Sequence, residues 1–180
     1  RLSAQPGTGA RPASRWMFPT RHAALILSVA AVLVVGDLVV KQLAVGALAD
    51  GRSIDLPLIS LRLAYNTGAA FSMGDGLPVW MVAAASGAVI AAGAVLLVRH
   101  AARLHLLTII GGAVVLGGGL GNLIDRLDGR GVVDYLHTGW FPTFNAADVL
   151  ITLGVGLIAI GLSLTRHHPS APNVPPGTDR

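Results

Sequence analysis

Two aspartates, Asp134 and Asp148, stand 14 positions apart, each beside an apolar run long enough to be embedded in a membrane. An ionised side chain at membrane depth is costly, so an acid placed there asks for a functional explanation. Two carboxylates brought close together cannot both ionise easily, and one of them keeps a proton. That pairing suits hydrolysis of a peptide bond: one acid takes a proton from water while the other donates one to the scissile carbonyl oxygen. Each acid also has a plainer reading. Asn145 can cap a helix with Asp148 at its third position, where a carboxylate returns a hydrogen bond and meets the positive end of the helix dipole. Capping and catalysis are compatible, because the cap fixes where the carboxylate points. Asp134 lies in the run Val132-Val133-Asp134-Tyr135-Leu136, and a single acid at a strand or loop edge is ordinarily solvated.

Further polar residues fall on the same membrane face under the topology given below: Asn66, Asn122, Arg126 and Asn145. Lipid offers them no partners, so they must satisfy one another or a substrate. Asn122, Asp125 and Arg126 share one helical face and could equally mark where a helix leaves the membrane. Asp37 and Lys41, four residues apart, read as a structural ion pair. The chain has no cysteine, which excludes disulfides, thiol catalysis and thiolate metal sites. The six histidines mostly flank helix ends without metal-binding spacing, so neither a metal nor another cofactor is expected.

The scaffold for these residues follows from composition. The 180-residue chain is 53% hydrophobic and 12% charged, where soluble domains carry about 25% charged residues. This is the composition of a membrane protein. The net charge of +4 comes largely from arginines at the ends of apolar segments, a sign of topology rather than of nucleic-acid binding. Four apolar segments, at about 23–48, 77–98, 104–127 and 146–165, are predicted to span the membrane. The first is too long for a signal-peptide core of about 7–15 residues. Glycines 111, 112, 117, 118, 119 and 121 in the third allow close helix approach. They are not a phosphate loop, since no Gly-Lys-Ser/Thr follows.

Between the first two segments, Ile59 to Tyr65 alternates apolar and polar residues, as a half-buried strand does, and Asn66-Thr67-Gly68 reads as a turn. Residues 52–76 are therefore predicted to form a small strand-rich platform on the membrane surface. The fold class is an all-α membrane protein with four transmembrane helices and a small extracytoplasmic β element. Residues 1–20 and 167–180, rich in Gly, Pro, Ser or Arg, are predicted to be disordered, with Met17 a candidate start. Four spans put both termini on one side. That side holds Arg1, Arg11, Arg15, Arg21, Arg99, Arg103, Arg166 and Arg180, while the other holds Arg52, Arg62, Arg126 and Arg130. The excess places the termini in the cytoplasm and both aspartates on the extracytoplasmic side.

Five motifs in order carry a resemblance: Asp37-x-x-x-Lys41, Asn66-Thr67-Gly68-Ala69-Ala70-Phe71-Ser72, Gly121-Asn122-Leu123-Ile124-Asp125-Arg126-Leu127, Val132-Val133-Asp134-Tyr135 and Phe144-Asn145-Ala146-Ala147-Asp148. Together, across residues 23–165, they resemble the lipoprotein signal peptidase (signal peptidase II) family. The resemblance implies a four-helix aspartyl protease with a small β-cradle, spanning about 21–166 and working in the bacterial inner membrane. It would cleave diacylglyceryl-modified prolipoproteins just before the lipidated cysteine, as a monomer among membrane lipids, with no nucleic-acid partner. Asp134 and Asp148 match the catalytic dyad. Asn66, Asn122, Arg126 and Asn145 match residues that line the site, while Asp37 and Asp125 match structural positions. Asp148, at a helix N-terminus, is expected to be the more readily ionised member, with Asp134 holding the proton. The interval between the last two motifs is short, so the loop over the site should be small.

Two other classes compete. A small proton-coupled transporter could use the carboxylates as a relay. Transporters commonly show internal repeats and helices broken at mid-membrane. No repeat relates the halves here, and the acids sit toward one face. A purely structural membrane protein would tolerate Asp→Asn at both positions, since Asn also caps well. Intramembrane aspartyl proteases with Gly-x-Gly-Asp drop out: the Gly-Asp pairs Gly36-Asp37 and Gly74-Asp75 lack the upstream glycine.

Overall fold

Backbone N–H and C=O groups find no partner in hydrocarbon, so long apolar runs close their hydrogen bonds internally as helices. The computed structural model describes residues 21–68 and 78–166. Its helices are α1 (Arg21–Leu48), α2 (Val79–His100), α3 (Leu106–Leu127) and α4 (Ala146–Arg166). Each is long and apolar enough to cross a membrane, with mean hydropathies of 2.6, 2.3, 1.8 and 2.1. The arm at 1–20, the tail at 167–180, and residues 69–77, which take in the end of the expected 52–76 platform and the first residue of the expected second span, lie outside the described residues.

The least apolar helix, α3, is the central one. Half of its membrane window is buried, against 22%, 11% and 17% for α1, α2 and α4. Its glycines are the reason it can sit there. A Cβ on Gly111 would lie 2.6 Å from the Gly154 carbonyl oxygen of α4. One on Gly118 would lie 2.6 Å from that of Ala147, so the two backbones touch. Gly117 faces Leu33 of α1, and Gly112 and Gly119 face Leu97 and Ile90 of α2. Helix α1 is turned inside out relative to a soluble helix: Leu27, Val32, Val35 and Leu43 are exposed, while Asp37 and Lys41 are buried. Lipid accepts the first group and rejects the second. Helix α2 packs on α3 and scarcely on α1 or α4.

Three antiparallel strands form a small sheet, in the order β1 (Ser53–Asp55), β2 (Ser60–Asn66), β3 (Val132–His137). The alternation in the sequence announced β2. The third strand comes from beyond α3, so the sheet is not confined to residues 52–76 as expected. Its register sets Ala64 opposite Asp134 and Asn66 opposite Val132, which brings two distant motifs together. Gly131 makes this possible. It has φ 97°, and a Cβ there would lie 2.7 Å from the Asn66 carbonyl oxygen. After β3 the chain returns through a bridge in which Leu136 N donates to Phe144 O at 2.8 Å and Phe144 N to Leu136 O at 3.0 Å. The bridge delivers Asn145 to the head of α4.

Candidate active site

The first turn of any helix leaves backbone N–H groups without partners. At α4 the sequence supplies them. Asp148 N donates to Asn145 Oδ1 at 3.1 Å, and Asn145 N donates to Asp148 Oδ2 at 3.1 Å, the reciprocal cap that the spacing predicted. Ala146 N donates to the Tyr135 hydroxyl at 3.2 Å. That contact ties the helix head to β3 and was not anticipated from sequence.

The side-chain amide of Asn145, with 0% exposure, does a second job. Its Nδ2 donates to Asp134 Oδ1 at 2.7 Å and to Asn122 Oδ1 at 3.1 Å. Asn122 Nδ2 in turn donates to Asp148 Oδ1 at 2.9 Å. Asn145 therefore binds both carboxylates, one through its side chain and one through its backbone. The two acids expected to pair are held by one residue. Asn66 lies beside Asp134 and bears on its charge, and its Oδ1 accepts from Gly68 N at 3.2 Å.

Asp134 is 2% exposed, not solvated as a lone strand acid ordinarily is. Burial raises its pKa from 3.8 to about 6, helped by the charge of Asp148 and opposed by the hydrogen bond from Asn145, by Asn66 and by Lys41. Burial also raises the Tyr135 hydroxyl above its usual range.

Behind the carboxylates lies a buried ionic cluster. Lys41 Nζ contacts Asp37 Oδ2 at 2.7 Å and Asp125 Oδ2 at 2.9 Å, and donates to Asn122 Oδ1 at 2.8 Å. Asp125 also accepts from Val133 N at 3.1 Å, pinning β3 to α3. The expected Asp37–Lys41 pair is present, but its reach to Asp125 and Asn122 went unforeseen. A Cβ on Gly121 would collide with the Asp37 carboxylate, so that glycine makes room for the cluster.

A cavity of about 730 Å³ leads to this site. Its floor is α3 (Val115, Leu116, Gly119) and its walls are α2 (Met81, Val82, Val89, Ile90) and α4 (Ile151). Asn122, Arg126 and Asp148 supply its polar end. Arg126 Nη1 donates to the Asn122 carbonyl at 3.2 Å, while its buried Nε has no hydrogen-bond partner among the described residues.

The sequence model of signal peptidase (SPase) II matches residues 29–164. The chain belongs to the signal peptidase II family. A lipoprotein signal peptidase of Mycobacterium leprae (strain Br4923) is 37% identical over 155 residues, covering 80% of this chain and 74% of that protein. One from Symbiobacterium thermophilum is 37% identical over 153 residues, 82% of this chain and 98% of its own. A bacterial membrane enzyme solved by the in meso method at 2.3 Å superposes with a TM-score of 0.72 at 26% identity, covering 84% of this chain and 95% of that one. Family membership and four membrane-length helices make this a multi-pass membrane protein. On this signal peptidase II scaffold Asn122, Asn145, Asp134 and Asp148 form one hydrogen-bonded group, with Asn66 beside Asp134. Arg126 flanks that group from α3.

Proposed function

We propose that this chain is a membrane-embedded aspartyl endopeptidase that removes signal peptides from bacterial prolipoproteins, cutting just before the diacylglyceryl-modified cysteine. One observation carries the reading: Asn145 holds Asp134 and Asp148 together at the head of α4, at the polar end of an apolar cavity. Asp148 faces the cavity and accepts two N–H groups, so it is the carboxylate that takes a proton from water. Asp134, buried and raised to about 6, holds the proton that passes to the scissile carbonyl oxygen. The resulting hydroxide adds to the carbonyl carbon. The C–N bond then breaks as Asp148 returns its proton to the leaving nitrogen and a hydroxyl of the tetrahedral intermediate returns one to Asp134. Asn122 and Arg126 line the cavity and hold substrate backbone, Asn145 orients the two carboxylates and Asn66 stands beside Asp134, while Asp37 and Asp125 support the site from behind.

The peptidase unit spans residues 21–166 and acts as a monomer in the inner membrane, with cytoplasmic termini and the site on the extracytoplasmic face. The eight-to-four arginine asymmetry supports that orientation. The signal helix of the substrate lies along the apolar cavity between α2 and α4, and the lipidated cysteine sits at the membrane edge. The test is reconstitution with a diacylglyceryl-modified prolipoprotein. Wild type is expected to cut before the lipidated cysteine. Asp134→Asn and Asp148→Asn, each still folded, should lose activity by about 10³-fold or more. Normal cleavage by both variants would leave the carboxylates as caps and ion-pair partners only.

A further inference from the structure

Lys41 is 1% exposed on α1 and makes no hydrogen bond to either aspartate of the dyad, yet it sits one residue behind Asp148, through Asn122, and two behind Asp134, through Asn122 and Asn145. An ammonium offers three donors and no acceptor. All three are used, on Asp37, Asp125 and Asn122. The first two contacts make an ion cluster. The third has a different consequence, because an amide has two unlike ends.

We propose that Lys41 is a positioning residue for the peptidase site: its ammonium fixes which end of the Asn122 amide faces inward and, through it, turns the N–H groups of Asn122 and Asn145 onto the two carboxylates. Asn122 Oδ1 accepts from Lys41 at 2.8 Å and from Asn145 Nδ2 at 3.1 Å. Flipped, the Asn122 NH₂ would face an ammonium and another NH₂, donors against donors, in a buried site. Held unflipped, it donates to Asp148 Oδ1 at 2.9 Å. Asn145 is fixed in the same way. Its two amide hydrogens go to Asn122 Oδ1 and to Asp134 Oδ1 at 2.7 Å, and its Oδ1 accepts Asp148 N. One cation thus sets the direction of two amides and, through them, the donors on both carboxylates.

The inference rests on the proposed dyad, and the test separates the two. Removing Lys41 alone would strand Asp37 as a buried charge, so the variant is Asp37→Leu with Lys41→Met. In the folded double variant, kcat should fall about 10- to 100-fold, the range seen when groups that orient a reacting side chain from behind are lost, with KM little changed. The limb of the pH–kcat profile that belongs to Asp134 should move to higher pH, because that carboxylate loses its fixed donor and the Lys41 charge that holds it down. The charged and titratable groups around Lys41 are Asp37 on its own helix, Asp125 and Arg126 on α3, Asp134 and Tyr135 on β3, and Asp148 on α4. Lys41→Arg, which keeps the cation, should retain most of the wild-type pH profile. A folded double variant with wild-type kcat and an unmoved Asp134 limb overturns the proposal and leaves Lys41 a packing ion. Should the double variant not fold, wild-type protein labelled with ¹⁵N-Asn decides. The side-chain NH₂ signals of Asn122 and Asn145 should shift as the dyad titrates, and signals insensitive to it overturn the proposal. Active Asp134→Asn and Asp148→Asn enzymes would instead sink the dyad itself.

Discussion

Replacing Asp134 with Asn should abolish cleavage and, above pH 6, leave a protein more stable than wild type. The carboxyl is 2% exposed, and burial raises it from 3.8 to about 6. The folded state therefore binds this proton more tightly than the unfolded chain does. The stability contributed by the neutral carboxyl is fully present below about pH 4 and is lost as pH rises through about 6. At 1.36 kcal/mol per pH unit, ionising Asp134 in place costs on the order of 3 kcal/mol. Asn keeps an oxygen to accept from Asn145 Nδ2, at the cost of about 1 kcal/mol for new amide hydrogens with poorer partners. The variant should then be about 1 kcal/mol less stable than wild type at pH 4 and about 2 kcal/mol more stable at pH 8. Denaturant unfolding of both proteins in one detergent, at both pH values, measures this. The quantity to read is the change in the variant-minus-wild-type difference, which cancels every other titrating group. Its midpoint belongs to the Asp134–Asp148 pair rather than to either acid. A difference that is the same at pH 4 and pH 8 would refute the claim that ionising Asp134 strains the fold.

Asp125→Ala removes a partner of Lys41 and the acceptor of Val133 N, and should cost about 3–5 kcal/mol; the unfolding midpoint in detergent checks it. Gly111→Ala drives a Cβ against the α4 backbone and should destabilise by about 1–3 kcal/mol. Gly156→Ala meets nothing within 4 Å and should stabilise by about 0.5–1 kcal/mol; the same melts compare the two. Tyr135→Phe leaves Ala146 N without its acceptor and should cost about 1 kcal/mol with substantial activity retained, as a melt and a cleavage assay together would show.

The four helices were legible because an apolar run in a membrane has only one way to satisfy its backbone, and composition alone reveals the run. The reciprocal Asn145–Asp148 cap was legible for a similar reason: it is local, three residues long and fixed by helix geometry. Pairing between β2 and β3 was not. It joins residues 60–66 to 132–137 across two transmembrane helices, and Val132 to Leu136 reads equally well as a loop edge. The burial of Asp134 follows from that pairing and from Asn145 beside it, so its unsolvated state was hidden too. Lys41 was visible as a partner of Asp37 at i,i+4. Its contacts with Asp125 and Asn122 depend on how α1 lies against α3, which Gly121 permits and no spacing rule encodes.

Helix α2 leans on α3 alone and scarcely meets α4, so the cavity has a seam along its side as well as an end. On the proposed reading, a substrate anchored in the same bilayer would enter by sliding in the plane, and the severed helix would leave the same way. Encounter then depends on molecules per unit area of membrane, not per unit volume of solution. Adding inert lipid at fixed amounts of enzyme and substrate should slow turnover by dilution in two dimensions, whereas cleavage of a soluble peptide carrying the same sequence should follow its concentration in the bulk and gain nothing from confinement to the bilayer.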